Sequence, residues 1–344
     1  MQSDSKTLSH WFGLDVSKDS FEAAGAAILR SEEIMRPSQS GFPISIEGVE
    51  SFLEWARKAA EGVDFGVAME TTGVYSRRLC KLLMAASPSL HVSVCNAASV
   101  SLYARSYTEA KSDRSDAAFI ARYACDRNPA STTMPSRTVE RLREAVRTRD
   151  RLVDQRTELK NSLDSIEDGA TRKIQKAMIA CQDRNVARLE AMIMKIVDSD
   201  ETVRAEIDRM ATAPGVGRLS AAIIHAELGS LRNYDRKQMS AMSGVCPVNR
   251  LSGTSVRRHS MSRHGSKLLR KILFLDSFMA IGKMPAMAKF HKRMLEKPDS
   301  SKMGARCACM RKLLLILHAM VVNERDFDAN YKSEKIVKNL QNPA

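Results

Sequence analysis

The chain reads as an α/β region followed by a mostly α remainder, and three observations predict this. Residues 9 to about 130 alternate short apolar runs with amphipathic stretches. Residues 138–210 carry apolar positions at three- and four-residue steps, and the chain from residue 213 is helix-rich, with amphipathic helical patterns dominating from Ser266 onward. The 344 residues exceed what one hydrophobic core usually serves. The predicted domains are 1–135, 136–210 and 211–344.

Residues 11–16 and 21–29 read as strands, close enough to pair as a hairpin around residues 17–20. Residues 46–59 then predict a helix, 63–69 a strand, 75–86 a helix, 92–95 a strand, and 97–104 and 113–125 two more helices. Strands first, then strand–helix alternation, suit a mixed sheet flanked by helices. In the next region the stripe runs through Leu142, Ala145, Leu152, Leu159, Leu163 and Ile166, with Arg149 and Arg156 falling within it. It breaks at Asp168-Gly169 and returns from Val186 to Met210, interrupted only by Asp200. That spacing predicts an antiparallel helical hairpin, packed within the chain or serving as an oligomerising coiled coil. The last region opens on Ala213-Pro214-Gly215-Val216-Gly217 and is helix-rich, except for a basic Gly/Ser-bearing loop from Asn249 to Gly265.

Lys and Arg total 54 against 40 Asp and Glu, a net charge of +14. Such an excess favours a polyanionic partner through phosphate contacts and counterion release. Seven cysteines without a CxxC spacing argue for a reducing compartment rather than a disulfide framework or zinc knuckle. Cys307 and Cys309 read as helix packing. The longest apolar stretch falls far short of the ~20 residues that a membrane span needs. The expectation is a cytoplasmic nucleic-acid protein with no membrane association. Its aromatic content of 5% argues against a single-strand binder built on stacking.

Three constellations could carry chemistry. The first is acidic: Asp15 in GLDVSK, Glu70 in METTG, and Asp113 with Asp116 in KSDRSDA. Asp15 and Glu70 sit at the ends of strand-like runs, and Asp113 and Asp116, three apart, share a helical face. Carboxylates gathered this way repel one another unless a cation neutralises them, and hard divalent metals take all-oxygen sites. Two such metals ~4 Å apart can activate an attacking oxygen and stabilise a leaving one in phosphodiester transfer. A first-turn Asp such as Asp113 or Asp116 equally suits a helix cap. The second constellation is Gly215 and Gly217, which can turn backbone N–H groups toward a phosphate or form an ordinary tight helix–helix turn. The third is the loop bearing Arg250, Arg257, Arg258, Arg263 and Lys267 among Ser252, Thr254, Ser255, Ser260 and Ser262. It suits phosphate binding, or a hydroxyl nucleophile whose phosphate is neutralised by Arg. Chemistry alone does not choose among the five hydroxyls.

In this order, GLDVSK, METTG, KSDRSDA, APGVGRLSAA, AMSGVCPVNRLSGTS and MRKLLLILHAMVVNERDFDANY resemble the DEDD transposases of the bridge-RNA-guided insertion-sequence family, relatives of the Piv/MooV DNA invertases. The resemblance covers roughly residues 10–332. It implies an RNase H/RuvC-like N-terminal domain in which Asp15, Glu70, Asp113 and Asp116 bind Mg2+ or Mn2+, a coiled-coil insertion, and a C-terminal transposase domain. Within that last domain it implies that Ser252 is the nucleophile, forming a 5′-phosphoserine link to DNA, with the acids supplied by another protomer. Also implied are donor and target double-stranded DNA, a structured noncoding guide RNA, a homodimer or homotetramer, and a prokaryotic, nucleoid-associated setting. Ser112 stands where Thr is commoner, and Arg263 where Lys is usual. A second reading stays open: a metal-dependent junction resolvase or nuclease in which the acids act alone. A third is a non-catalytic nucleic-acid-binding protein built on the coiled coil.

Overall fold

The computed structural model describes residues 8–29, 32–107, 116–245, 247–252, 256–261, 265–297 and 301–330, with only the backbone described at 27–29, 32–40, 106–107, 247–252 and 256–261. The chain forms two compact units, Met1–Met134 and Pro135–Ala344.

The first unit is a five-stranded mixed sheet with helices on both faces. Its strands are β1 (His10–Val16), β2 (Ser20–Leu29), β3 (Glu32–Pro43), β4 (Phe65–Glu70) and β5 (His91–Cys95), and the helices are α1 (Ile46–Ala59), α2 (Val74–Ala86), α3 (Ala97–Tyr107) and α4 (Asp116–Arg127). The strand order is β3-β2-β1-β4-β5, antiparallel across the first three and parallel from β1 through β5. Alternation along β1 sends Phe12, Leu14 and Val16 into one core with Phe21, Phe52, Leu79 and Leu83. Trp11 enters the opposite core, against Ala26, Ala68, Ile120 and Ala121. The predicted strands and helices are present, to within a few residues at their ends. Strand β3 was not expected, because its segment contains Pro37 within a polar run. As the sheet edge, it can tolerate a residue that donates no ladder hydrogen bond.

The second unit is helical apart from one hairpin. Helices α5 (Arg137–Ser162) and α6 (Gly169–Asp198) pack antiparallel, followed by α7 (Glu201–Ala211), α8 (Arg218–Leu228) and α9 (Arg236–Met242). Strands β6 (Pro247–Ser252) and β7 (Val256–Met261) lead into α10 (Lys267–Lys283), α11 (Pro285–Leu295) and α12 (Lys302–Val322). Asp168 caps α6 through the Thr171 N–H, and Asp200 caps α7 through Thr202 and Val203. The polar residue that interrupts the second apolar stripe therefore starts a new helix.

Arg149 and Arg156, which fall within the first stripe, reach across to Glu190 and Asp183 of α6 at 2.6 and 2.8 Å. One end of the pair is buried: Leu142, Val146, Ile193 and Val197 share a core with α8, α10 and α12. Toward the other end Ile174 and Met178 are exposed. Arg147 and Glu227 add a bidentate ion pair between α5 and α8. Among the described residues no helix is long and apolar enough to cross a membrane. Six cysteines there are free thiols, with Cys309 buried in α12.

Candidate functional site

Strand alternation builds an acidic face on the first unit. On β1, Trp11, Gly13 and Asp15 share the side that packs under α4, and on β4 Glu70 shares the side of Gly66 and Ala68. Leu14 pairs with Met69, so Asp15 and Glu70 stand side by side one residue further on. Asp116 opens α4, whose Ala117, Ile120, Ala121 and Ala124 are buried against the sheet.

Gly13 sets the approach of this helix. A Cβ there would lie 2.1 Å from the Ala117 carbonyl oxygen and 2.3 Å from the Ala121 nitrogen. Only a residue without a side chain lets α4 ride on β1 at this height. Gly13 and Ala117 thus hold Asp116 near Asp15. Sequence reasoning missed both, although a Gly two residues before a strand-end Asp was the available signal.

The electrostatics register the convergence. Partial burial raises the Asp15 carboxyl above its ordinary range, and Asp116 and Glu22 raise it further. Burial, Asp116 and Asp15 do the same to Glu70. Glu22 stands opposite Asp15 on β2 and was not among the sequence candidates. Beside Glu70, burial and the Glu70 charge push the Cys95 thiol up to about 11, so it stays protonated at neutral pH. Behind Glu70, the Thr71 N–H and hydroxyl both donate to the Cys95 carbonyl, and Ser76 Oγ accepts from the Thr72 N–H. These bonds fix the METTG turn. Asp113 lies outside the described residues. Among the described residues, no three His, Cys, Asp or Glu side chains form a metal-binding group by themselves.

In the second unit, Gly215 and Gly217 serve different ends. Gly215 has φ +99°, and a Cβ there would lie 2.6 Å from the Ala280 nitrogen, so it seats the turn on α10. Gly217 caps α8 without a side-chain bond and faces open space. The next residue, Arg218, is held by Asp198 and Asp208. Nearby, the buried Asp276 accepts from the Ser220 hydroxyl at 2.9 Å, and burial pushes its carboxyl up to about 7.

The basic segment expected as a loop contains a β-hairpin. Its register sets Arg250 opposite Arg258, Leu251 opposite Arg257, and Ser252 opposite Val256 at the end of β6. Val, Leu and Met in partial alternation with polar residues explain the strands. The hairpin's ends are pinned together: Gly265, at φ +100°, would place a Cβ 2.2 Å from the Met242 carbonyl oxygen. Lys267 is exposed on the first turn of α10, beyond its Ser266 cap. Arg263 lies outside the described residues.

Two family models match this chain. One, of DEDD transposases, covers residues 12–170, and the other, of the IS116/IS110/IS902 family of transposases, covers residues 207–292. Together they define an enzyme that acts on DNA by recombination. Curated relatives align with this chain over a large share of its length. A pilin gene-inverting protein of Moraxella bovis is 25% identical over 92% of this chain and 97% of its own length. That of Moraxella lacunata is 27% identical over 76% of this chain and 81% of its own length. A transposase for insertion sequence element IS1111A from Coxiella burnetii is 25% identical over 47% of this chain and 53% of its own. The chain belongs to the IS110 family of DEDD transposases.

That family implies a divalent metal, typically Mg2+. The first unit's donor chemistry fits one. Asp15, Glu70 and Asp116 are carboxylates; burial first, and then repulsion from neighbouring acids, raises proton affinity at Asp15 and Glu70, and a divalent cation would relieve the repulsion.

Proposed function

We propose that this protein cuts and rejoins DNA through a 5′-phosphoserine intermediate at Ser252, assisted by Asp15, Glu70, Asp113 and Asp116, under the direction of a structured noncoding RNA. The convergence of Asp15, Glu70 and Asp116 on one face of the sheet carries this reading. The strand order and orientation support an RNase H/RuvC-like domain. Mg2+ held by these carboxylates would supply Lewis-acid stabilisation of charge on a phosphate oxygen. Asp15 and Glu70 would orient the phosphodiester through rigid strand ends. Ser252 would attack phosphorus, its proton leaving to solvent or a carboxylate and the 3′-hydroxyl departing, so the ester bond is conserved for rejoining. Arg250, Arg257, Arg258 and Arg263 would balance phosphate charge and, with Lys267, Gly215 and Gly217, grip the backbone. Arginines opposed in a hairpin register favour an anionic partner. Sequence choice would fall to base pairing with the RNA. Helices α5 and α6 would help assemble a homodimer or homotetramer acting on donor and target duplexes.

A suicide DNA substrate with its cognate RNA tests the assignment. The parent forms a covalent protein–DNA adduct and Ser252→Ala forms none. An adduct with Ser252→Ala refutes the nucleophile. Mg2+-dependent nicking that survives Ser252→Ala but not Asp15→Asn would instead establish the nuclease reading.

A further inference from the structure

Helices α10, α11 and α12 together carry eleven Lys and Arg residues and a single acid, Asp276, which is buried. Of these, Lys271 is paired with Asp150 and Asp154 of α5, and along α10 lies an apolar stripe. Helix α10 buries Leu269, Ile272, Leu273 and Ala280, yet it also leaves Phe274, Leu275, Phe278 and Met279 exposed, Phe278 by 60%. The spacing i, i+1, i+4 and i+5 makes these four one surface. A helix apolar on both sides has a second partner to bury.

Arg306 of α12 joins the stripe. Its guanidinium carbon lies 4.8 Å from the centre of the Phe278 ring and 5.6 Å from that of Phe274. Its buried Nη1 has no hydrogen-bond partner among the described residues. The guanidinium rests on aromatic faces. Lys267 and Arg270 at one end of α10, Lys283 at the other and Lys302 on α12 extend the same sign. A second copy of this surface would be repelled. A polyanion with flat apolar groups would be complementary in both respects: bases stack on Phe and Arg planes, and phosphates meet the lysines.

We propose that the Phe274–Phe278–Arg306 surface of the second unit stacks unpaired bases of a DNA strand exposed during recombination. It rests on the reading that this enzyme handles DNA strands, but not on serine chemistry. Low overall aromatic content is no obstacle, because two rings and one arginine in one place suffice.

The test uses the full-length protein and equilibrium binding to a fluorescent pyrimidine-rich DNA strand, its duplex, the same strand with abasic sites, and the matching RNA. Phe278 is exposed, so Phe278→Ala leaves the fold intact, which thermal melting verifies. Phe278→Ala should weaken the intact DNA strand roughly tenfold and leave the duplex and the abasic strand unchanged. Phe278→Trp should retain affinity, with indole emission quenched on binding. Equal affinity of Phe278→Ala and parent for the intact strand overturns the proposal. So does an equal loss on the abasic strand, or dependence on Phe278 for RNA alone. Dissociation of an oligomer by Phe278→Ala with strand affinity unchanged, read by light scattering, assigns the surface to a protein partner. Because no cleavage is measured, these outcomes are independent of whether Ser252→Ala abolishes the covalent adduct.

Discussion

The acidic face of the first unit and the basic hairpin of the second concentrate charge by opposite routes. Asp15, Glu70 and Asp116 come from three elements, brought together by strand pairing and by the packing of α4 over Gly13. Arg250, Arg257 and Arg258 are close in sequence, and one hairpin register sets Arg250 opposite Arg258 and Arg257 opposite Leu251. Acids gathered by tertiary structure resist one another inside a rigid frame, which suits a cation that must be held at one place. Cations gathered by local sequence need only one hairpin register to share a segment.

The largest effects should separate the two at the level of chemistry. Asp15→Asn should lower recombination by at least about a hundredfold, since each 1.4 kcal/mol of lost stabilisation is tenfold. Its melting temperature without metal should stay level or rise, because one repulsive charge is gone. A loss of both activity and stability would mean that Asp15 serves structure instead.

Glycine substitutions sharpen the contrast in packing. Gly13→Ala should cost about 1–3 kcal/mol in denaturant unfolding and reduce activity, because α4 and Asp116 must move off β1. Gly215→Ala, strained in φ and crowded by α10, should destabilise comparably while leaving the acidic face and its metal response untouched.

The two units should also answer pH differently. Asp276 is neutral when folded below about 7 but ionises near 3.8 when unfolded, so stability is lost as pH rises between these values. Asp276→Asn should remove that slope. It should be more stable than the parent by a few kcal/mol above pH 7, with the gap closing toward pH 4. Without metal, the raised Asp15 and Glu70 carboxyls likewise add stability at low pH that fades as pH climbs past their folded values. Added Mg2+ should reverse this trend, as followed by thermal melting, whereas the slope due to Asp276 should be indifferent to metal.

The smallest effects lie among the ion pairs of α5. Arg147→Ala strands the buried carboxylate of Glu227 and should cost about 2 kcal/mol, below the full figure for buried pairs because Arg147 is half exposed. Arg156→Ala, in an exposed pair, should cost under about 1 kcal/mol by the same unfolding measurement.

Element types were readable because periodicity follows burial. Alternation marked β1 and β2, and three- and four-residue steps marked α5 and α6. Strand β3 escaped, since a polar edge segment with a proline lacks that pattern. Asp200 was readable as an interruption but not as the start of α7, because capping depends on where the chain turns. The strand-end positions of Asp15 and Glu70 and the helix-start position of Asp116 were legible in the sequence; Gly13, Ala117 and Glu22 were not, since their places matter only once α4 and β2 flank β1. The hairpin at residues 247–261 looked like a loop because its arginines mask the alternation.

Charge balance, element types and the ordered motifs that mark a DEDD transposase are local or compositional properties, and the linear chain carries them in full. Which carboxylates feel one another, why Gly13 and Gly215 must lack side chains, and that Phe278 faces outward come only with the folded packing. Those facts depend on which surfaces pack together, and packing is set by residues far apart in the chain.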